Sequence, residues 1–549
     1  MSPVEPSVEE QAESAVLAPP AAEALVDDGT SQLAGLGRSA ALLTVAASLG
    51  QVFGVGRELF VASRVGTSPQ LDALLIALVA PTMLAGLLAS GSAAALVPAH
   101  AAVEERHGRA AAQRMVGVIL TWTTIAGLAF MLALTALAPV IVAIAGPGLS
   151  ADGRVTAQGF VPIVAPILVL SAVGGLITAV FQVLGRFRPI AIAWLLGPVV
   201  SLIVTIGLWP WLGLRAYAVA LVLNPATTLI VLIVLAARSG DLPRPALRTR
   251  QGDLGGFVGH AVPLTISASV LQFNLLADRS IASLIASGAV SALRYGDSIV
   301  RLPLNTLGPA WARVVYPSLV AAARAGDHES VGASAHRAMR YLLAMFVPIS
   351  VGIAALAPLG VRIVFGRGAF DEQAITATAA ALAGFAGLVG LTMVQGVLVG
   401  AHNAQRRAIF LMLMGFLNAI LNLVFDVIFG FALGIGGIAL STTFTMAIVL
   451  LLMGARLNRA DPAFRAGELL GVAIRAVIAS LVPAVPAALI AWSNLAGGGL
   501  LIEIVLTLGL GAIGAVEYVI VARWLRLDEP WIVARGVAAL VVRRRGTPA

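Results

Sequence analysis

Cysteine and lysine are both absent from this chain of 549 residues, and charged residues of any kind are scarce. Without cysteine, disulfides and thiolate-bound metals are excluded. Without lysine, the Gly-Lys-Ser/Thr phosphate loop of nucleotide hydrolases is excluded as well. Only 11% of the residues are charged and 59% are hydrophobic, whereas soluble domains average about 25% charged and about 45–50% apolar. The composition therefore predicts a polytopic membrane protein.

Signs of catalysis are also missing from the sequence. The six histidines show no HExxH spacing, and their acidic neighbours are too few to complete a metal site. We therefore predict neither an enzyme nor a metal site. The formal net charge of +8 comes from arginines in short segments between apolar runs, which is typical of membrane proteins and does not indicate nucleic-acid binding.

Fourteen apolar segments are long enough to cross a bilayer, which takes about 20 residues each. We number them as spans one to fourteen. The sequence thus predicts an all-α polytopic membrane protein of about fourteen transmembrane helices. The approximate cores of the spans are 40–63, 71–99, 115–145, 159–183, 189–210, 216–237, 256–285, 289–319, 340–365, 375–400, 407–430, 433–455, 469–492 and 499–522.

Arginine counts in alternate loops predict the orientation of the chain. Seventeen arginines fall in one set of loops and five in the other, so the first set is expected in the cytoplasm. With an even number of spans, both termini lie inside, which agrees with the three arginines at 543–545. We therefore expect a multi-pass protein of the inner (plasma) membrane, surrounded by membrane lipids.

The longest basic loop divides the spans into two halves. In both halves the second span is interrupted by proline and glycine, and paired interrupted segments point to a central transport site. The acidic N-terminal stretch has the composition of a disordered tail. We predict a disordered cytoplasmic tail (1–36), an N-terminal lobe of spans one to six (37–237), a cytoplasmic linker (238–255), a C-terminal lobe of spans seven to twelve (256–457), two extra spans (458–526) and a basic cytoplasmic tail (527–549).

Arg57 and Glu58 lie side by side in span one. A charge inside a bilayer segment costs about 2.5–3.5 kcal/mol on insertion scales, so such residues face a protein interior or a hydrated cavity. The alternative is that Arg57 extends to the nearby interface while Glu58 pairs with it. The first interpretation predicts a charged cavity.

The second lobe carries its own buried charges. Asp278 and Arg279 interrupt span seven, and Asp297 and Arg301 share one face of span eight because they are four residues apart. Structural ion pairs are the alternative for each couple. Since these arginines add to Arg57, we predict a cavity that binds an anionic head group, a pyrophosphate above all, because the guanidinium fork matches phosphate oxygens.

Asn418, Asn422 and Asp426 recur every four residues along span eleven. They form a polar stripe on one helix face. Such a stripe more often joins neighbouring helices by hydrogen bonds than binds a ligand. We therefore expect it to hold span eleven against its neighbours.

Two long blocks resemble a known family, the MurJ (MviN) lipid II flippases of the multidrug/oligosaccharidyl-lipid/polysaccharide exporter superfamily. The first block is GVGRELFVASRVGTSPQLDALLIALVAPTMLAGLLASGSAAALVP, which contains Arg57, Glu58 and Asp72. The second is LADRSIASLIASGAVSALRYGDSIVRLPLNTLGPAWARVVYPSL, which contains Asp297. Shorter likenesses follow, so that the resemblance runs from about residue 40 to about residue 525.

The resemblance implies two pseudo-symmetric six-helix lobes and two extra C-terminal helices that form a groove for a lipid tail. It also implies a function, the transfer of an undecaprenyl-pyrophosphate-linked precursor of the cell wall to the outer leaflet. No cofactor is expected; membrane potential or a coupling ion would supply the energy. Arg57, Arg279 and Arg301 would bind the pyrophosphate. The carboxylates Glu58, Asp72, Asp278 and Asp297 would form ion pairs that change as the lobes open and close.

The family pattern of polar residues is altered at four places, one of which is a pair of neighbouring residues. Gln51 stands where an arginine is usual, and Ala85–Gly86 replaces an arginine pair. Ser298 follows Asp297 in place of arginine, and Arg301 replaces an acidic residue. We take Arg279 and Arg301 as compensating charges, which is a hypothesis.

Two other functions stay open at the level of sequence. An ion-coupled drug or solute exporter of the same superfamily would have an apolar, aromatic cavity with one or two lone carboxylates. A non-transporting paralogue would instead act as a scaffold for the cell-wall synthesis machinery, and the loss of family charges is compatible with that role.

Overall fold

The computed structural model of the chain describes residues 21–248, 253–304, 328–493 and 499–535, and most of these residues are helical. Helices predominate because an α-helix satisfies its own backbone hydrogen bonds, which a bilayer cannot do. The helices of the first half are α1 Ala21–Val65, α2 Pro69–Ala77, α3 Val79–His107, α4 Arg109–Ala136, α5 Ala138–Ala145, α6 Ala151–Val164, α7 Pro166–Val183, α8 Phe187–Leu212 and α9 Leu214–Ser239.

The second half continues with the same architecture. A short 3₁₀ turn, Pro462–Phe464, precedes the last two long helices. The helices are α10 Asp253–Ile285, α11 at 289–304, α12 His328–Ala355, α13 Ala357–Phe365, α14 Glu372–Phe385, α15 Leu388–Ala404, α16 Ala408–Leu433, α17 Ile435–Ala460, α18 Ala466–Trp492, α19 Leu500–Trp524 and α20 at 529–535.

Several predicted spans consist of two helices that meet at a break. Proline lacks an N–H and cannot continue the hydrogen-bond ladder, and Pro139, Pro166 and Pro358 each lie in the first turn of the second helix of such a pair. The third and fourth spans of the first lobe are broken, and so are spans nine and ten, their counterparts in the second lobe. The two lobes thus share a layout.

Twelve helices among the described residues are long and apolar enough to cross a membrane. The predicted class, an all-α multi-pass membrane protein, is therefore confirmed. Spans seven and eight are not among the twelve: they correspond to α10 and to α11, which reaches the edge of the described range at residue 304. The count of fourteen stays a prediction.

The N-terminal boundary differs from the sequence prediction. Helix α1 begins at Ala21, inside the segment 1–36 that we expected to be a disordered tail. Its first residues include many alanines and leucines, which are strong helix formers. Residues 1–20 and 536–549 lie outside the described residues, so the two terminal tails are otherwise not tested.

Packing between the helices follows the two halves of the chain. In the first half α8 packs against α1 and α9, and α3 packs against α7. In the second half α17 packs against α14 and α16, while α12 packs against α18. The halves contact each other extensively through α10 and α3. Of these two helices, α10 carries predicted charges, Asp278 and Arg279.

Candidate functional site

Glu58 is the centre of a buried polar network at the seam between the lobes. Its Oε1 accepts hydrogen bonds from Tyr217 Oη at 2.9 Å and from Arg294 Nη2 at 2.9 Å, and Arg57 Nη2 lies 3.4 Å away. Glu58 and Arg57 belong to α1, Tyr217 to α9 and Arg294 to α11 of the other lobe. The ion pair of Glu58 with Arg294 therefore joins the two lobes.

Arg57 is held in the first lobe by several weak partners. Its Nη1 donates to Ser201 Oγ at 2.7 Å on α8, and its guanidinium carbon lies 5.4 Å from the centre of the Tyr217 ring. The Arg57 residue is only 7% exposed, yet its Nε has no hydrogen-bond partner. One donor of Arg57 is thus buried without an acceptor.

The charges of this network do not cancel. Arg57 and Arg294 share the single carboxylate of Glu58, and both approach the same oxygen. Tyr217 is neutral in its hydrogen-bonded form and adds no charge. The network of Arg57, Glu58, Tyr217 and Arg294, which we call the seam network, therefore carries an excess of one positive charge.

Arg294, Asp297 and Arg301 lie on one face of α11, because they are spaced by three and four residues. Arg301 Nε donates to Asp297 Oδ2 at 2.6 Å, and the Arg301 side chain is 61% exposed. The sequence predicted Asp297 as a partner across the lobes; in this structure it pairs within its own helix. An exposed pair of this kind contributes little to stability.

Arg279 contacts the first lobe from α10. Its Nη1 donates to the main-chain carbonyl oxygen of Leu75 at 3.1 Å, near the break between α2 and α3. It lies within electrostatic range of Arg294 and of the carboxylates of Asp297 and Asp278. Its hydrogen-bonded partner is a neutral carbonyl, so among the described residues no carboxylate is bound directly to Arg279 at the seam.

Asp72 fixes the start of α11 across the seam. Its two carboxylate oxygens accept from Gly288 N at 2.7 Å and from Ser291 N at 2.8 Å, and Asp72 is 2% exposed. A carboxylate at a helix N-terminus satisfies free N–H groups and is favoured by the helix dipole. Gly288 has φ of +83°, and a Cβ there would lie 2.8 Å from Thr67 O. Glycine permits both this conformation and this approach.

The lobes close against each other at the end of the molecule where spans one, seven and nine finish. Ala369 N donates to Ser63 O at 2.8 Å, and Gly148 N donates to Ser283 Oγ at 3.1 Å. A Cβ on Gly148 would lie 2.0 Å from Ser283 O, and one on Gly368 would lie 2.1 Å from Ser63 O. We call this region the sealed end.

A second polar cluster lies inside the C-terminal lobe. Asn422 Nδ2 donates to Asp278 Oδ1 and to Asp426 Oδ2, each at 2.8 Å, and Ser441 Oγ donates to Asp426 Oδ1. Asp426 is fully buried, and Asn422 Oδ1 is buried without a hydrogen-bond partner. We call Asp278, Asn422, Asp426 and Ser441 the inner acidic cluster.

Helix joining and cation binding are both compatible with the inner acidic cluster. It links α10, α16 and α17, as the four-residue spacing along span eleven predicts. The hydrogen bond of Asn274 to Asn418, at 3.0 Å, continues the same contact. The oxygen atoms of the inner acidic cluster are also the ligands that hard cations prefer. Within the described part of the chain, no three acidic or histidine side chains converge as a metal site.

Gly86, one of the positions that depart from the family pattern, lies against span seven. A Cβ on Gly86 would lie 2.5 Å from Nε2 of Gln272. The amide of Gln272 thus occupies space that a side chain at position 86 would need. The small residue explains how α3 and α10 approach each other here.

An apolar cavity of about 840 Å³ lies between the C-terminal lobe and the last two spans. Its walls come from α12, α13, α18 and α19, with Ile299 of α11 on the side of the seam. Pro348, Pro483 and Leu510 are among its lining residues. A cavity of this volume and lining accommodates a hydrocarbon chain.

Sequence reasoning found some members of this site and missed others. Arg57 and Glu58 do form one network, while Asp72 and Arg279 contact the opposite lobe separately. Arg294, Ser201 and Tyr217 were missed. The sequence did contain an indication of Arg294, because this residue lies on the same helical face as Asp297 and Arg301. A single serine or tyrosine in a span, such as Ser201 or Tyr217, carries no such indication.

Comparison with known proteins identifies relatives for most of the chain. A family model described as lipid II flippase MurJ matches residues 61–507. The lipid II flippase MurJ of Burkholderia cenocepacia is 27% identical over 380 residues, which cover 66% of this chain and 73% of that protein.

Solved structures share the fold. Lipid II flippase MurJ in an inward closed conformation has a TM-score of 0.71 at 17% identity, with 88% of this chain and 99% of that chain covered. A MATE family multidrug resistance transporter of the MOP superfamily, in an inward-facing conformation, has a TM-score of 0.64 at 15% identity, with 78% and 95% covered.

Proposed function

The chain belongs to the lipid II flippase MurJ family, and from this premise we propose that it transfers a lipid-linked precursor of the cell wall between the leaflets of the inner membrane. The substrate is lipid II or a related saccharide on undecaprenyl pyrophosphate, carried from the inner to the outer leaflet. Membership of this family makes the protein a transporter. Alternating access of a site at the seam between two lobes is the mechanism.

The excess positive charge at the seam is the observation that carries this proposal. A buried guanidinium group, that of Arg57, and a half-buried one, that of Arg294, share the carboxylate of Glu58, and Arg279 donates to a neutral carbonyl. Buried cations are costly unless they are compensated by anions. A pyrophosphate supplies the missing negative charge and accepts from several N–H donors at once. It would replace Glu58 as a partner of the arginines.

Ion pairs between the lobes control access in this mechanism. The arginine count favours a cytoplasmic location for both termini, so the sealed end faces the outside. Opening that end breaks the contacts of Glu58 with Arg294 and of Asp72 with Gly288 and Ser291. Pyrophosphate binding weakens the first of these contacts because it competes for Arg294. Substrate binding thereby favours opening, as a population shift requires.

The inner acidic cluster is our candidate for energy coupling. Asp278 and Asp426 are two carboxylates joined by one amide, and Asn422 Oδ1 is buried without a donor. A proton or a small hard cation such as Na⁺ would neutralise the pair. Ionisable residues buried in a membrane protein are characteristic of such coupling. No nucleotide or cofactor enters this scheme.

An ion-coupled exporter of drugs or solutes is the second candidate. The likeness to a MATE transporter fold and the pair of carboxylates in one lobe favour it. Several arginines at the seam favour the flippase, because an exporter of cationic compounds would not be served by excess positive charge. The scaffold function, with the cell-wall synthesis machinery as partner, stays a prediction.

Complementation tests the function directly. We expect the gene to restore growth and rod or sphere shape to bacteria depleted of their own lipid II flippase, and the purified protein to flip fluorescent lipid II in proteoliposomes. Failure in both assays, with normal membrane levels of the protein, would contradict the proposal. Export of a cationic dye by the same proteoliposomes would favour the second candidate.

A further inference from the structure

The chain does not simply leave the membrane after the last span. Helix α19 ends at Trp524, and the next residues turn back: Arg526 has φ of +59°, in the left-handed region. Arg475 of α18 donates to the main-chain oxygens of Leu525 at 3.4 Å and Arg526 at 3.3 Å. The turn is therefore fastened to the neighbouring span.

After the turn, the chain docks on span nine. Arg340 Nε on α12 donates to Glu529 Oε1 at 2.7 Å, and Glu529 is only 4% exposed. Leu527 is fully buried. The guanidinium of Arg523 lies 4.7 Å from the centre of the Trp531 ring. We call residues 525–535, which include α20, the C-terminal strap.

The strap forms part of the wall of the apolar cavity. Pro530, Val533 and Ala534 line the cavity together with residues of α12, α13, α18 and α19. The polar contact of Arg340 with Glu529 fixes the strap at the edge of this wall. Displacement of the strap would remove three apolar lining residues at once and would open the cavity at this end.

Retention of a hydrocarbon chain in this cavity depends on such closure. Lipid tails are as apolar as the cavity, so the hydrophobic effect does not favour transfer of a chain from the bilayer into the protein. Binding then depends on packing contacts, which are lost wherever the wall is open. Trp524, directly before the strap, and Trp531, within it, are both exposed, and tryptophan is favoured at the membrane–water interface.

We propose that the C-terminal strap closes the apolar cavity over a single long polyprenyl chain, and that the ion pair of Arg340 with Glu529 keeps it closed. This inference rests on the proposed function, because the chain belongs to the lipid-linked substrate. The strap lies beyond residue 507, where the match to the family model ends.

Photocrosslinking in proteoliposomes tests the strap. The probe is a polyprenyl pyrophosphate that carries a diazirine near the far end of its chain. With the unaltered protein we expect crosslinks to peptides of 525–535 and of α18 and α19. Glu529→Gln and Arg340→Gln should each lower crosslinking to the strap about tenfold, since each leaves a partly buried charged group without its partner.

Two further variants distinguish a role of the ion pair in positioning the strap from a general effect on folding of the protein. The reversed pair Arg340→Glu with Glu529→Arg should restore most of the crosslinking. Glu372→Gln is the matched control, because it removes a surface pair, Arg362 with Glu372 at 2.7 Å, and it should leave crosslinking unchanged. All variants are compared at equal membrane levels and equal thermal stability.

The outcomes distinguish the strap from the function on which it rests. Strong crosslinks to α18 and α19 with none to 525–535 would overturn the strap and leave the lipid-linked substrate in place. Unchanged strap crosslinking in Glu529→Gln and Arg340→Gln would overturn the role of the ion pair. A protein that crosslinks to the probe nowhere would contradict the proposed substrate itself.

Discussion

The seam network and the inner acidic cluster are both buried and polar, but they differ in charge and in position. The seam network joins the lobes through Glu58 and Arg294 and carries excess positive charge. The inner acidic cluster lies within one lobe and contains two carboxyl groups, those of Asp278 and Asp426. Groups between two moving bodies exchange partners when the bodies move, whereas groups inside one body keep theirs.

This difference separates two tasks of a transporter. A substrate that is carried across must meet groups at the seam, because only the seam is exposed alternately to the two sides. A coupling ion acts on the equilibrium between states and can bind within one lobe, provided that it binds the two states unequally. The predictions below test this division, beginning with the largest effect.

Arg57→Ala should lower flipping in proteoliposomes about 100-fold, which corresponds to about 2.8 kcal/mol and to the loss of strong hydrogen bonds to a charged group. Arg57→Lys should keep about a tenth of the activity, because an ammonium retains the charge without the planar fork. Arg154→Gln, in the first turn of α6, is the control and should flip normally. Normal flipping by Arg57→Ala would remove Arg57 from the substrate site.

Arg294→Gln should slow flipping about 30-fold, since it leaves the buried carboxylate of Glu58 without its partner from the other lobe. The same change should open the sealed end more often. A Thr67→Cys background gives the only thiol, because the chain has no cysteine. Its labelling by an impermeant maleimide should rise with Arg294→Gln. Unchanged labelling would show that the pair does not hold the lobes together.

Asp426→Asn should lower flipping about tenfold and abolish its response to an imposed Na⁺ or proton gradient, because it removes one of the two carboxylates. Binding of the pyrophosphate head group, measured without a gradient, should stay the same. Asn418→Ala, which removes a neighbour outside the inner acidic cluster, is the matched control. A full gradient response in Asp426→Asn would assign energy coupling to another part of the protein.

Asp72→Asn should have a smaller effect, an increase of about fivefold in thiol labelling at the sealed end. Asparagine can still cap a helix, but it loses the attraction of a carboxylate for the N-terminal dipole, worth about 0.3–1 kcal/mol or somewhat more when buried. Arg301→Gln should change flipping less than about twofold, because exposed pairs contribute at most about 1 kcal/mol. A strong defect in Arg301→Gln would return it to the substrate site that the sequence predicted.

The sequence predicted the helices better than the site. Long apolar runs identify spans without any knowledge of their partners, and charges inside them, such as Arg57 and Glu58, stand out. The partner of Glu58 does not stand out, because Arg294 is 236 residues away and lies in a stretch that already contains Tyr295 and Asp297. Its identification requires the packing of α11 against α1, which hydropathy does not reveal.

The C-terminal strap is a second feature that the sequence did not predict. Residues 527–549 were predicted to be a basic tail because of their arginines, yet Leu527 is buried and Glu529 pairs with Arg340. Seven described residues of α20 are too few for periodicity to indicate a docked helix. The contact partner is 189 residues earlier in the chain. Such long-range pairs can be read only from coordinates.

The glycine contacts at the sealed end have a consequence for the surroundings of a bacterium. Gly148 and Gly368 bring main chain against main chain, so this barrier closes by shape. Ion pairs weaken as salt rises, and carboxylates lose charge in acid. Contacts between peptide groups neither weaken with salt nor change charge with pH over the range in which bacteria grow. If this end faces outward, the barrier stays closed at high salt concentration and at low external pH, and only movement of the lobes opens it.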